Sequence, residues 1–350
     1  MTGNKIILED LEIIINDSID WPKFNGKTVL VSGANGFLPA YMVETLLYLV
    51  DKKIITGLKI LALVRNLTKA KTRFKYHINR NELFFINQDV CNLFEIHDKI
   101  DFIIHAASQA SPKYFGTDPV GTLKANTVGT INLLNIARIN NIESFLFFST
   151  SEVYGLMSDD KIPIRENEYG YLDPINVRSC YSESKRMGET ICVSYLHQYN
   201  IPVKIIRPFH IYGPGMAPDD GRVHADFISD IINNRNINMR SDGSAIRSFC
   251  YLSDATRGFF RVLLNGVVGE AYNIGNRNSE ISIINLADLL VNMFPEKKLH
   301  VIKQNVSDGY LQSKIMRNCP DITKANTIGW FPEINLEDGF FRTIKSYINE

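Results

Sequence analysis

The feature that most constrains the fold is an apolar run that leads directly into a glycine turn and then a helix. Residues 27–32 are the run; Gly33, Asn35 and Gly36 follow, before an amphipathic helical pattern that extends to about residue 50. Glycines at such a turn let the backbone approach a pyrophosphate, whose charge the helix N-terminus favours. Pro39 replaces the third glycine of the usual spacing, and proline is tolerated in a first helical turn. The stretch predicts a dinucleotide-binding turn.

Further apolar runs alternate with helical patterns along the chain. They predict strands at residues 58–64, 83–90, 101–108, 144–148 and 203–208, and one helix over 119–140. This alternation is typical of an α/β fold, and here it predicts a Rossmann-type doubly wound parallel sheet.

Three regions are expected. Residues 1–25 form an N-terminal helical extension, because Leu8, Leu11, Ile14 and Ile15 recur at helical spacing. Residues 26–214 form the dinucleotide-binding Rossmann domain. After residue 214 the alternation becomes irregular, with strands predicted at 244–251 and 271–275 and helices near 283–293 and 336–348. Residues 215–350 are therefore expected to be mainly a smaller substrate-binding lobe, interleaved with the last sheet elements.

Composition excludes several classes of partner. Of the 350 residues, Lys+Arg and Asp+Glu each total 38, which gives no bulk electrostatic reason to expect nucleic acid or an acidic membrane surface. The N-terminus lacks a signal pattern and no apolar run approaches the length of a membrane span. Five cysteines are scattered without a C-x-x-C pair and predict reduced thiols, no metal site and a cytoplasmic location; they are Cys91, Cys180, Cys192, Cys250 and Cys319.

A tyrosine and a lysine four residues apart, Tyr181 and Lys185, begin a predicted long helix. That spacing places both side chains on one helical face. A fixed ammonium stabilises a nearby phenolate, so the pKa of Tyr181 is expected to fall toward neutrality, which would let it exchange a proton with a substrate hydroxyl. Taken alone, the pair is also compatible with an ordinary surface helix.

Two strand ends carry further candidate residues. Ser149, Thr150, Ser151 and Glu152 follow the strand at 144–148, where open α/β sheets place ligands, although the same residues are compatible with a helix cap. Arg65 ends the second strand at a position where NAD sites often carry an acid. An arginine there suits a 2′-phosphate or stacking on adenine, so the sequence leaves NAD and NADP open.

Together these motifs resemble the extended short-chain dehydrogenase/reductases, in the nucleotide-sugar branch known as the NAD-dependent epimerase/dehydratase family. The likeness runs from about residue 27 to 340. Within the branch, the stretches 107–112, 150–155, 178–181, 220–223 and 247–251 are most similar to UDP-glucuronate decarboxylases. The resemblance implies an enzyme that transiently oxidises the C4 hydroxyl of a nucleoside-diphosphate sugar with bound NAD, and a homodimer formed through long helices, which the apolar face at 185–197 permits.

The resemblance also implies site residues. Thr150 and Tyr181 would contact the C4 hydroxyl, Lys185 would hold the nicotinamide ribose, and Glu152 and Ser151 would stand near C5 and C6. The implied cofactor contacts are Gly33, Asn35, Gly36, Phe37, Leu38, Arg65, Asp89, Val90, Ala106, Ala107, Ser108, Asn126, Ser149, Tyr181, Lys185 and Pro208. The implied substrate contacts are Ser111, Arg178, His210, Arg222, Arg247 and Asn273.

Other reactions stay open. A 4,6-dehydratase would use Glu152 to remove the C5 proton. A C4 epimerase would need only Tyr181, a hydroxyl and room for the sugar to turn. A non-catalytic nucleotide-binding protein would need no catalytic side chains. His210 stands where decarboxylases carry Asn, and this departure leaves the identity of the substrate open. Pro39 replaces a glycine, and this departure affects how the cofactor packs on the helix.

Overall fold

A computed structural model describes residues 3–239, 241–303 and 315–348. Seven parallel strands form the central sheet, in the order β11-β6-β5-β4-β1-β2-β3. Its strands are β1 (Thr28–Ser32), β2 (Lys59–Val64), β3 (Leu83–Asn87), β4 (Phe102–His105), β5 (Ser144–Phe148), β6 (Val203–Pro208) and β11 (Ala271–Ile274). Strand order reverses between β1 and β4, so the sheet is doubly wound, as the sequence predicts.

Helices cover both faces of this sheet and bury its apolar side chains in two clusters. In the first half of the chain they are α1 (Lys5–Ile15), α2 (Phe37–Asp51), α3 (Leu67–Arg73), α4 (Lys113–Thr117), α5 (Pro119–Asn126), α6 (Val128–Asn140) and α7 (Ser179–Tyr199). The single helix predicted over 119–140 is therefore two helices, because the backbone of Thr127 leaves helical geometry between them (φ −114°, ψ −70°).

The remaining elements follow residue 210; most of them form a third apolar cluster beside the sheet, whereas the helices Leu252–Asn265 and Thr323–Thr327 pack in the first cluster. They are β7 (Ile211–Tyr212), α8 (Val223–Ile232), β8 (Ile237–Met239), β9 (Ile246–Ser248), β10 (Cys250–Tyr251), α9 (Leu252–Asn265), β12 (Glu280–Ser282), α10 (Ile283–Asn292), β13 (Val301–Lys303), β14 (Arg317–Asn318), α11 (Thr323–Thr327) and α12 (Leu336–Ile348). The strand predicted at 244–251 is thus divided between β9 and β10, and β11 returns to the central sheet.

Helix α1, near the N-terminus, packs against α2, α9 and α12. Leu11 and Ile14 are fully buried, and the carboxylate of Asp10 accepts hydrogen bonds from the hydroxyls of Tyr41 and Tyr251. Because Tyr41 lies on α2 and Tyr251 on β10, the extension joins the first sheet helix to the later part of the chain.

Candidate active site

The glycine turn after β1 has the shape that a dinucleotide phosphate requires. Gly33 has a φ of +65°, and a side-chain carbon there would lie 2.8 Å from the Cα of Ala107. Gly36 caps α2 without a side-chain hydrogen bond, so no side chain occupies the helix N-terminus at this turn. The residues present therefore fit the pyrophosphate of a dinucleotide.

Ser32 fixes the strand end next to this turn. Its hydroxyl oxygen accepts the backbone N–H groups of Ala106 and Ala107 at 3.2 and 3.1 Å, and it lies 2.8 Å from Nδ1 of His105. His105 is 1% exposed, and burial lowers its pKa to about 3, so the ring is neutral. His105 is therefore a structural residue. It helps to fix the end of β4, which places the small residues 106–108 beside the glycine turn.

A cleft of about 460 Å³ opens at the carboxyl ends of β1, β4, β5 and β6. Eighteen of the residues expected from sequence line it. They are Gly36, Phe37, Leu38, Arg65, Ala106, Ser108, Ser111, Ser149, Thr150, Ser151, Glu152, Arg178, Tyr181, Lys185, Pro208, His210, Arg222 and Arg247. Open α/β sheets bind ligands at this edge, and the structure brings these eighteen residues together there.

Seven expected contacts lie outside that lining: Gly33, Asn35, Asp89, Val90, Ala107, Asn126 and Asn273. Gly33 and Ala107 touch each other behind the cofactor turn. Val90 is buried in the core beside the sheet. Asp89 lies beside the cleft, with its Oδ2 4.0 Å from Nη1 of Arg65.

The two asparagines have structural partners instead. Asn126 is fully buried and donates from Nδ2 to Oγ of Ser184, which fixes α5 against α7. Asn273 is also fully buried; its Nδ2 donates to the carbonyl oxygens of Ile164 and Asp321, and its Oδ1 accepts the Tyr154 hydroxyl. These bonds use both N–H groups of the amide, and the residue is absent from the lining of the cleft. The substrate contact expected of Asn273 therefore stays a prediction.

Tyr181 and Lys185 lie at the first turns of α7 and are both buried. The Tyr181 ring stacks on Phe115 with centroids 5.0 Å apart, and its hydroxyl has a hydrogen bond with the side chain of Thr150. Lys185 donates from Nζ to the carbonyl oxygen of Phe148 at 2.6 Å, and its Nζ lies 6.0 Å from the Tyr181 ring centre. The face predicted from their spacing is therefore the face that meets the cleft.

The expected fall in the pKa of Tyr181 is not found in this structure. Burial raises the pKa of Tyr181 to about 12, although the Thr150 hydrogen bond and the charge of Arg222 act in the lowering direction. Burial also lowers the pKa of Lys185 to about 7. Desolvation disfavours both the Tyr181 phenolate and the Lys185 ammonium. It outweighs the attraction between these two charges because the ammonium is directed at the Phe148 carbonyl.

Glu152 and Arg178 form an ion pair on one side of the cleft. Arg178 donates from Nη1 and Nη2 to the two carboxylate oxygens at 3.1 and 3.2 Å, and the Ser182 hydroxyl donates to Oε2 at 3.0 Å. The backbone N–H of Glu152 donates to Oγ1 of Thr150, which caps the 3₁₀ helix Ser151–Tyr154. Thr150 is therefore both a helix cap and a cleft residue, so the two interpretations left open by the sequence are compatible.

Two arginines extend the cleft toward the later part of the chain. Arg222 donates to Oδ1 of Asp220 and to the Ala110 carbonyl, and Arg247 donates to the carbonyls of Ile246 and Ile315. These bonds hold both guanidinium groups at the wall of the cleft, where they give it positive charge.

Sequence reasoning missed several lining residues, among them Gln109, Tyr114, His224, Phe249 and Asn318. His224 directly follows the motif at 220–223, and Phe249 lies within the motif at 247–251. The helical spacing of α8 from Arg222 onward could therefore have indicated that His224 faces the cleft. Asn318 donates to Oγ of Ser151 from β14, and no motif marks it. Within the described ranges no cluster of three His, Cys, Asp or Glu side chains suits a metal ion, and no helix is long and apolar enough to cross a membrane.

Comparisons with known proteins agree with this geometry. The model of the NAD dependent epimerase/dehydratase family matches residues 29–275. The chain is 34% identical to UDP-glucuronic acid decarboxylase 6 of Arabidopsis thaliana, over 89% of this chain and 86% of that protein. It is 33% identical to UDP-glucuronic acid decarboxylase 1 of Xenopus tropicalis, over 93% of this chain and 73% of that protein.

Solved structures with low identity share the fold. UDP-glucuronic acid 4-epimerase from Bacillus cereus, in complex with UDP-glucuronic acid and NAD, superposes with a TM-score of 0.78 at 23% identity, over 92% of this chain and 99% of that one. The dTDP-glucose 4,6-dehydratase DesIV from Streptomyces venezuelae, with NAD bound, gives 0.78 at 22% identity, over 92% and 97%. The chain is therefore an NAD-dependent enzyme that belongs to the NAD dependent epimerase/dehydratase family.

Proposed function

We propose that this protein decarboxylates UDP-glucuronic acid through transient oxidation of the sugar C4 hydroxyl. The observation that carries the proposal is the meeting of Thr150, Tyr181 and Lys185 with the Glu152–Arg178 pair in one cleft. It is supported by two UDP-glucuronic acid decarboxylases that match nearly the whole chain.

The chain's residues supply proton transfer and positioning. Tyr181, oriented by Thr150, takes the proton of the C4 hydroxyl as a phenolate, while the C4 hydrogen leaves with its electron pair. Because burial raises the pKa of Tyr181 to about 12, the phenolate would form only with the positive charge of the bound cofactor nearby to lower that pKa. Bound NAD supplies the acceptor for that hydride and later returns it. Lys185, whose Nζ lies 6.0 Å from the Tyr181 ring centre, stabilises the phenolate electrostatically when the lysine is protonated. The product of this stage is a 4-keto sugar.

The ketone makes loss of carbon dioxide feasible. It lies β to the C6 carboxylate, so the C5–C6 bond breaks with its electrons delocalised into an enolate at C4 and C5. Arg178, which already neutralises Glu152, keeps the Glu152 carboxylate from repelling an acidic sugar, and the Ser182 hydroxyl donates a hydrogen bond to the same carboxylate. Protonation at C5 and hydride return to C4 complete the cycle.

A 4,6-dehydratase is the second candidate, favoured by one observation. Glu152 lines the cleft as a paired carboxylate, and a carboxylate there suits removal of the C5 proton before water leaves C6. The test is to incubate the protein and NAD with UDP-, GDP-, CDP- and dTDP-sugars, including UDP-glucuronic acid, and to measure product masses. Loss of carbon dioxide supports the proposal; loss of water or an isomer of unchanged mass supports a dehydratase or an epimerase.

A homodimer is also proposed. Helices α5, α6 and α7 pack on one another, and each exposes apolar side chains, including Leu123, Ile131 and Met187. Exposed apolar residues on adjacent helices suit a helix-to-helix interface with a second copy.

A cytoplasmic location is proposed because all five cysteines are free thiols.

A further inference from the structure

Two histidines line the cleft with ring nitrogens that lack partners. His224 is 2% exposed in the first turn of α8, and His210 follows β6. The Nε2 atom of each ring is buried and has no hydrogen-bond partner among the residues that the structure describes. Leaving a buried polar atom unpaired costs stability, so two such atoms in one cleft indicate a ligand group that satisfies them.

Both rings are held by the same aromatic side chain. The Phe249 ring centre lies 5.9 Å from that of His210 and 5.3 Å from that of His224. His210 also has a left-handed backbone (φ +40°), fixed by the N–H of Cys250, which donates to its carbonyl. Backbone strain of this kind persists where the surrounding structure enforces it, often at ligand sites. The two imidazoles are therefore preorganised on one wall.

The surrounding charges are positive. Arg222 and Arg247 act on His210, as does His224, while Arg222 acts on His224. Asp220 is the acidic group at this wall, and it is paired with Arg222. Burial lowers the pKa of His224 to about 3 and the pKa of His210 well below its usual range, so both rings are neutral and each can carry its single proton on Nε2.

We propose that His210 and His224 bind an oxyanion of the nucleotide sugar by donating from Nε2, beside the guanidinium groups of Arg222 and Arg247. The oxyanion is a phosphoryl or a carboxylate oxygen, both of which accept N–H groups and are favoured by the two arginines. This assignment deepens the proposed function and rests on it for the nucleotide sugar. It gives the pair a role in substrate selection, separate from proton transfer at Tyr181.

The experiment measures ligand affinity of the NAD-loaded protein by calorimetry. The probes are inorganic diphosphate, UDP, UDP-glucose and UDP-glucuronic acid. The variants are His210→Gly, which tolerates the left-handed backbone and has no side-chain donor, His224→Leu, which removes the donor, and His224→Gln, which keeps a donor at similar reach. His97→Gln is the matched control, because His97 is exposed outside the cleft.

We expect His224→Leu and His210→Gly each to weaken binding about tenfold, the scale of one hydrogen bond to a charged group, and His224→Gln to stay within about threefold of the parent. Ligand-free His224→Leu should melt no lower than the parent, because it removes an unpaired buried nitrogen. Losses shared by all four probes identify a phosphoryl oxygen. A loss confined to UDP-glucuronic acid identifies the carboxylate.

Unchanged affinity of His224→Leu and His210→Gly for every probe would overturn the assignment, as would a lower melting temperature of His224→Leu with parental affinity. The proposed function can fail separately. If the parent binds inorganic diphosphate through the histidines but binds no uridine nucleotide, the histidine site is supported and the proposed decarboxylase function is refuted. A parent that binds none of the four probes would refute both.

Discussion

Lys185 donates a hydrogen bond from its ammonium to the carbonyl oxygen of Phe148, the last residue of β5. The bond ties the first turns of α7 to the strand end that carries Ser149 and Thr150. It also keeps a positive charge at a site that is 2% exposed, where burial lowers the pKa of the lysine to about 7. The catalytic face of α7 is therefore held in place at a cost in stability.

That cost should depend on pH. An unfolded lysine has a pKa near 10.4, so between pH 7 and pH 10 the unfolded chain binds more protons than the folded one, and parental stability rises with pH. Lys185→Met lacks this rise. Its free energy of unfolding relative to the parent should therefore fall by about 2–3 kcal/mol from pH 6.5 to pH 9.5. Urea unfolding of the NAD-free proteins at both pH values measures this change.

Lys71→Met is the matched control, because Lys71 is exposed on α3. Its stability relative to the parent should not change with pH. A pH-independent difference for Lys185→Met as well would show that Lys185 keeps an ordinary pKa in the folded protein.

Tyr181 should remain protonated in the NAD-free protein across the neutral range, because burial raises its pKa to about 12. The ultraviolet difference between parent and Tyr181→Phe should therefore contain no phenolate band from pH 6 to pH 10. Appearance of such a band near pH 7 would contradict the burial argument and restore the expectation drawn from the Tyr–Lys spacing.

The same substitution tests the catalytic role. Tyr181→Phe removes the proton acceptor and keeps the ring stacked on Phe115, so turnover should fall at least about a hundredfold while the melting temperature and NAD affinity stay close to parental values. Steady-state rates, melting curves and a cofactor titration check this. Parental turnover in the variant would exclude Tyr181 from the proton transfer.

The Glu152–Arg178 pair should show coupling in a double-mutant cycle. Glu152→Gln and Arg178→Gln each leave a partly buried charge without its partner, whereas the double variant leaves none. Because both side chains retain some solvent contact, we expect a coupling of only about 1 kcal/mol in urea unfolding. Strictly additive effects would mean that the pair is not formed in solution.

The dimer proposal predicts a change in oligomeric state. Met187→Glu places a charge on the exposed apolar surface of α7, so it should shift the protein from dimer to monomer in analytical ultracentrifugation. Ile302→Glu is the control, since Ile302 is also an exposed apolar residue but lies on β13, which pairs with β8. A parent that sediments as a monomer would refute the proposal directly.

Local signals predicted most of the sheet. The strands at 144–148 and 203–208 have the predicted bounds, because continuous apolar runs bounded by polar residues are strong local signals. Breaks within elements were less visible: Thr127 ends α5 by a backbone change that no glycine or proline marks, and Phe249 separates β9 from β10.

Site residues were predictable from sequence where their motifs directly follow a strand. They were less predictable where the direction of the side chain determines whether a residue reaches the cleft. Thr150 and Glu152 follow β5 directly, so their position in the cleft follows from the topology. Asn273 also lies near the end of a strand, but its amide donates to the carbonyl oxygens of Ile164 and Asp321 and does not line the cleft. His224 and Asn318 reach the cleft from α8 and β14, and their placement depends on packing between elements distant in sequence.

The central claim is that the cleft oxidises C4 of a nucleotide sugar and returns the same hydrogen. The most direct measurement is the mass of the product formed from UDP-glucuronic acid deuterated at C4, in the presence of NAD. The account predicts a product that has lost carbon dioxide and retains the deuterium at C4. Recovery of unchanged substrate, or of a decarboxylated product without the deuterium, would contradict it.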